Sequence, residues 1–293
     1  MEIKKTNIKL LVPNKRIECH KKELKTYEET KEMLRRLYIQ TFRRPSTIFI
    51  SIIQPLLWLI MFGALFKNAP IYLFENYKLD YTNFLNPGIL IFTAFNSSIN
   101  AGLTIIFDRE FGFLNRLLIS PISNKTCIVY ASIIHTWTIT IIQILGISTI
   151  ANTANKPISF MNTIISLVII STIIISISNI SIYGAFILPG HIEFIGLTTL
   201  FLNLPTLFTS TALAPLSFMP KWLQLICCMN PLTYAIEIIR NINLDNNFSL
   251  TTYIINKSWI SINGYNSIMV LLITNITSFI LVRSIIKYKY DKN

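Results

Sequence analysis

Residues 45–66 read PSTIFISIIQPLLWLIMFGALF, twenty-two residues without a charge. As a helix this stretch rises roughly 33 Å, enough to cross a hydrocarbon core of about 30 Å. Pro55 falls inside it, which a membrane helix tolerates where neighbouring groups satisfy the freed carbonyl. The rest of the 293-residue chain follows the same chemistry: 52% of its residues are hydrophobic, 14% are charged and the mean hydropathy is +0.52. That balance excludes an ordinary soluble domain.

Five further spans are expected at about 87–107, 127–150, 161–188, 194–214 and 262–282. The fold class is therefore an all-α polytopic membrane protein with six transmembrane helices: a basic N-terminal region over 1–44 and a transmembrane domain over 45–293. Several spans carry a polar face. Thr93, Asn96, Ser97, Asn100 and Thr104 share one in the second; Thr172, Ser176, Asn179 and Tyr183 share one in the fourth. Such faces prefer another helix or an aqueous path to lipid, and Asn96, Asn100, Ser176 and Asn179 are taken as candidates to line a path.

The formal charge of +12 does not call for nucleic acid, because the basic residues gather at the two ends. Residues 1–44 hold thirteen Lys or Arg against six acids. Six crossings put both termini on one side. That side takes these thirteen, then Arg109, Arg116 and Lys125, then Arg283, Lys287, Lys289 and Lys292, and the other side has six. The positive-inside rule places both termini on the cytoplasmic or stromal side. Within the basic region Leu34, Leu37, Tyr38, Thr41 and Phe42 form a helical stripe flanked by arginines, which suits an amphipathic helix at the headgroup level.

Two stretches are neither spans nor simple loops. Residues 108–126, DREFGFLNRLLISPISNKT, put Phe111, Leu114, Leu117 and Leu118 on one helical face, and Pro121 ends the helix. Lying on the membrane and docking in a partner's groove both fit it. Residues 214–244 are apolar but divided by Pro215, Pro220 and Pro231 into pieces too short to cross. Asn230 and Pro231 have the character of a helix cap and first turn, and Glu237 and Arg240 are spaced to pair. Two half-membrane helices re-entering from the far side follow, at the mouth of a path.

These stretches resemble the membrane-spanning subunits of ABC-2-type transporters. The resemblance is carried by Glu110, Gly112, Leu117, Leu118 and Pro121 in the first, by Met219, Pro220, Trp222, Leu223, Asn230, Pro231, Leu232, Tyr234 and Arg240 in the second, and by FLNPGIL from Phe84. With its rich use of Ile, Asn and Lys, the chain is similar to the ABC-2-type permease encoded in some algal plastid genomes. The resemblance implies that Glu110 to Pro121 form a cytoplasmic coupling helix received by an ATPase subunit, and that Pro220 to Arg240 form a re-entrant cap closing the exit. It also implies a second copy of the permease and a plastid membrane, with ATP and Mg held by the partner and no cofactor in this chain.

What the sequence lacks points the same way. None of its nine glycines lies in a GxxxxGK[ST] loop, so ATP hydrolysis falls to another chain. Intramembrane Asp, Glu, Lys and Arg are missing from the six spans, which weakens a secondary transporter. His135 is the exception, read as a histidine hydrogen-bonded within the bundle. His20, His135 and His191 fall in unrelated segments, and Cys19, Cys127, Cys227 and Cys228 form no CxxC pair, so neither a catalytic nor a metal site is expected. The leading expectation is the permease of an ATP-driven exporter; the alternative is a structural membrane subunit or assembly factor, with a secondary transporter third.

Overall fold

The computed structural model describes residues 22–66, 81–119, 125–154, 159–187, 203–244, 253–256 and 261–290. Nine labelled helices carry the fold: α1 (Lys22–Phe42), α2 (Pro45–Leu65), α3 (Tyr81–Glu110), α4 (Phe113–Ile119), α5 (Thr126–Ala154), α6 (Phe160–Ile187), α7 (Lys221–Met229), α8 (Pro231–Leu244) and α9 (Gly264–Tyr290). Five of them, α2, α3, α5, α6 and α9, are long and apolar enough to cross a membrane. The departure from an all-α chain is a short antiparallel hairpin, β1 (Tyr253–Asn256) with β2 (Ser261–Asn263), leading into α9.

The direction of each helix follows from its contacts. Ile91 and Ala94 of α3 share a core cluster with Ile170 and Ile173 of α6, whereas Ala101 and Ile105 share another with Ile182 and Ala185. The two helices therefore run the same way, and α9 runs with them, Leu271 lying in the first cluster and Val282 and Ile286 in the second. α5 runs against them: Ser97 of α3 meets Gln143 and Ala101 meets Ser132. α2 runs with α5, Ser51 meeting Gln143 and Leu59 sharing a cluster with Ala151.

These directions define two ends about 45 Å apart, the length of the 30-residue α3. Its start carries α7 and α8; its finish carries α4 and the contacts of α1. We call them the cap end and the α4 end. α6 finishes at the α4 end, and Thr209 sits at the cap end against Asn230, so the chain changes ends between them.

Three expectations need correction. α3 begins at Tyr81 rather than 87, because Phe84 and Leu85 are fully buried with Leu59 and Ala151, and this packing overrides Pro87 as a start signal. The expected fifth span, 194–214, lies outside the described residues over 194–202; residues 203–208 are helical, and the chain leaves the helix at Thr209. There side chains, not the next helical turn, satisfy carbonyls, Asn230 at Thr209 and Arg240 at Thr211. In the third, Phe111 does not continue the buried face of α4: it is 76% exposed, because the chain turns at Gly112 before α4 begins.

α3 and α6 approach closely at Gly102. Its amide donates to Ser181 Oγ, which donates to Ile99 O, and a Cβ here would lie 2.4 Å from that Oγ and 2.5 Å from Ser181 O. A Cβ at Gly184 would meet nothing within 4 Å. Gly102→Ala is expected to destabilise the bundle by about 1–3 kcal/mol, read as a lower melting temperature in detergent. Gly184→Ala serves as the control, with no loss and a gain of up to about 1 kcal/mol.

Candidate functional site

At the cap end, α7 and α8 are bent by 89° across Asn230. With nine and 14 residues, neither crosses on its own. Pro220, in extended backbone, precedes α7, and Pro231 opens α8 at a position where no amide donor is needed. The Asn230 side chain does two jobs at the bend. Its Oδ1 accepts from Leu232 N at 3.0 Å, capping α8, and its Nδ2 donates to Thr209 O at 3.1 Å. Tyr234 donates to Cys228 O at 2.5 Å, closing the bend from the other side. Met219 and Leu232 are buried in the core, Leu223 packs against it, and Trp222 is 64% exposed on the outer face of α7.

Residues 232–240 of α8 are buried throughout, including Glu237 and Arg240. Arg240 Nη1 donates to Glu237 Oε1 at 2.5 Å, and Nη2 donates to Thr211 O at 2.8 Å. Nε and Nη2 both reach Phe84 O, at 3.4 and 3.3 Å, and the guanidinium lies 3.7 Å from the centre of the Phe84 ring. One side chain thus joins α8, the start of α3 and the non-helical stretch after 208.

At the α4 end, Glu110 is the exposed last residue of α3. Gly112 then takes a φ of +71°, a left-handed conformation that costs a residue with a side chain about 1–2 kcal/mol. The turn sets α4 against α1 and α5: Leu114 is buried with Cys127 and Ile128, and Met33 and Leu117 pack against them. Leu118 lies in α4 with its side chain outside the described residues, and Pro121 is outside them altogether. Arg36 of α1 pairs with Asp108 and lies 4.0 Å from the centre of the Phe113 ring. Farther along, Tyr38 bonds Thr138 at 2.6 Å and Thr41 bonds His135 Nε2 at 2.8 Å. α1 therefore packs along α5, and His135 is held within the bundle.

Between the ends, α2, α3 and the stretch 203–213 enclose a cleft of about 230 Å³. Asn96 and Asn100 line it with Ser51, Gln54 and Asn203, and no charged residue does. Asn96 Oδ1 and Asn203 Oδ1 are buried without a hydrogen-bond partner. Its floor is tied by a relay: Ser97 donates to Gln143 Oε1 at 2.6 Å, and Gln143 Nε2 donates to Ser51 at 2.8 Å. The other two pathway candidates are elsewhere. Ser176 is buried and bonds back to Thr172 O, as hydroxyls in helices often do, and Asn179 lines a separate cavity beside α5 and α9.

A family model described as "ABC-2 type transporter" matches residues 28–244, most of the chain and both structured ends. The chain belongs to the ABC-2 type transporter family. It is similar to proteins named "Putative transport permease ycf38": that of Porphyra purpurea is 44% identical over 266 residues, 90% of each chain. The one from Cyanophora paradoxa is 44% identical over 256 residues, 87% of this chain and 88% of its own. The chain is thus a multi-pass membrane component of the ABC-2 transport permease family, and these relatives match nearly nine-tenths or more of it.

Sequence reasoning about this permease missed the Arg36–Asp108 pair and the Gln143 relay. A signal for the first existed, since Asp108 is the first acid after a long uncharged run and α1 supplies arginines. The relay joins residues 46 and 92 positions apart, and nothing local marks it.

Arg240→Met takes the guanidinium away from the buried Glu237 carboxylate, and is expected to destabilise the permease by about 3–5 kcal/mol in detergent melts. The double variant E237M/R240M removes the carboxylate as well and recovers part of the loss. A single variant melting like the parent would contradict the clamp.

Proposed function

We propose that this chain is the membrane-spanning permease subunit of an ATP-driven exporter, powered by a separate ATPase subunit. The observation that carries the reading is the elbow at Gly112, which hangs a short helix at the α4 end and fixes it between α1, through Arg36 and Met33, and the start of α5, through Leu114. Glu110, Phe111 and Ile119 remain outward around it, the last 86% exposed. A partner seated there pushes on the finish of α3 and, through α1, on α5.

In this reading Glu110, Gly112, Leu117, Leu118 and Pro121 couple the permease to the ATPase. Pro220, Trp222, Asn230, Pro231, Tyr234 and Arg240 form the cap over the exit. The partner binds ATP and Mg and performs the hydrolysis; the permease is not itself an enzyme. Asn96 and Asn100 line the cargo route through the uncharged cleft, two copies of the permease form the transmembrane unit, and both termini face the cytoplasmic or stromal side of a plastid membrane.

The test is purification of the full chain in mild detergent from cells that express its natural partners, with nucleotide hydrolysis measured in the eluate. An ABC ATPase is expected to copurify, and Glu110→Lys is expected to lower its recovery at least roughly tenfold, the effect of reversing one interfacial charge, without changing the amount of inserted permease. Copurification of membrane proteins alone, with no hydrolysis in several detergents, would instead favour an assembly role.

A further inference from the structure

The cavity that holds Asn179 is separate from α4 and from the cleft that Asn96 and Asn100 line. It occupies about 250 Å³ at the α4 end, between the start of α5 and the finish of α9, with α6 as its floor. α5 and α9 each pack on α6 and scarcely on one another, so the crevice opens sideways between them. Its walls are mostly apolar, with Val129, Ile133, Phe279 and Val282, and exposed apolar residues such as Ile134 and Ile276 continue them on the outer surface.

Two polar features interrupt this lining. Asn179 is 1% exposed, and neither its Oδ1 nor its Nδ2 has a hydrogen-bond partner. Buried amides are normally satisfied, and one left wholly unpaired at a cavity wall marks where another molecule supplies the bond. At the rim stands Arg283, exposed and without an ion pair among the described residues; Tyr130 stands there as well. Arg283 is the first charge after Lys257, so it marks the level at which α9 leaves the hydrocarbon. No acidic residue lines the crevice.

We propose that this crevice is a binding site for an anionic membrane lipid. Arg283 pairs with the headgroup phosphate or sulfonate, as a planar guanidinium does well. One or two turns deeper, Asn179 Nδ2 donates to an ester carbonyl, and an acyl chain lies along Val129, Ile133 and Phe279. A free anion would use the rim and leave the apolar walls and Asn179 unmatched. A helix from a second copy, about 10–12 Å across with its side chains, is too wide to reach Asn179 on the floor. Basic pockets between transmembrane helices recur as sites for anionic headgroups, and here the lipid would fill the gap that α5 and α9 leave.

The site does not depend on the exporter reading, and its test needs no ATPase. The full chain is reconstituted in nanodiscs of phosphatidylcholine, with or without about 30 mol% phosphatidylglycerol, a composition within the range of anionic membranes. Lipid retained after transfer to detergent is read by native mass spectrometry. The expected result is one phosphatidylglycerol retained per chain in preference to phosphatidylcholine. Arg283→Gln should reduce that preference roughly fivefold or more, and Arg283→Lys should restore part of it. Because Arg283 is exposed, these variants are expected to fold; Val129→Trp, which fills the crevice, is the second probe and should also abolish retention. Equal retention of the two lipids, unchanged retention in Arg283→Gln, or displacement of the retained lipid by inorganic phosphate alone would each overturn the proposal.

Discussion

The Arg240 guanidinium, 1% exposed, meets a demand that the bilayer imposes on any irregular backbone within it. In hydrocarbon a carbonyl without a partner costs several kcal/mol, so chain that leaves the helix needs another donor. The stretch after 208 is such a chain, and its carbonyls are taken one by one: Thr209 by Asn230, Thr211 by Arg240 and Leu213 by the Tyr81 hydroxyl. Each donor comes from a different part of the sequence. The cap end therefore holds its shape only while α3, α8 and the bend at Asn230 are all in place, and Glu237 keeps the required cation neutralised inside the protein.

That constraint ties the cap to the far end through α3. Its first turn carries Phe84 O, which Arg240 holds; its last turn carries Asp108, which Arg36 holds. Between them Gly102 lets α6 lie against the α3 backbone, so the two helices form one closely packed pair. In the proposed exporter, movement at α4 reaches the cap along this rod instead of through loops. α2 is the contrast: within it only Leu59 and Gly63 are buried, and the Gln143 relay fastens it at mid-length beside the polar cleft. A loosely packed wall next to a cleft with two unpaired amide oxygens suits a path that must open.

Much of this was legible in the residues. Uncharged apolar runs of crossing length need no context, so the membrane class and the spans of α2, α5, α6 and α9 could be read directly. The pairing of Glu237 with Arg240 and the capping role of Asn230 depend on spacings of two or three positions, and these too were legible. What stayed hidden depends on distant partners. The carbonyls of Phe84 and Thr211 lie 156 and 29 positions from Arg240. A polar helix face announces itself, but its neighbour does not, so Asn96 and Asn179 looked equivalent although they belong to different cavities. Phe111 was placed on the face of α4 because periodicity was carried through Gly112, where the left-handed turn breaks it.

The most direct test of the account is the sidedness of its two ends. With the natural cysteines Cys19, Cys127, Cys227 and Cys228 replaced, single cysteines at Ile119 and at Trp222, both well exposed, can be labelled in sealed vesicles with a membrane-impermeant maleimide. The account predicts that only one of the two reacts from outside, and that the other reacts only after the vesicles are opened. Labelling of both from the same side would contradict it, because α4 and the cap would then share a surface and α3 could not link them across the bilayer.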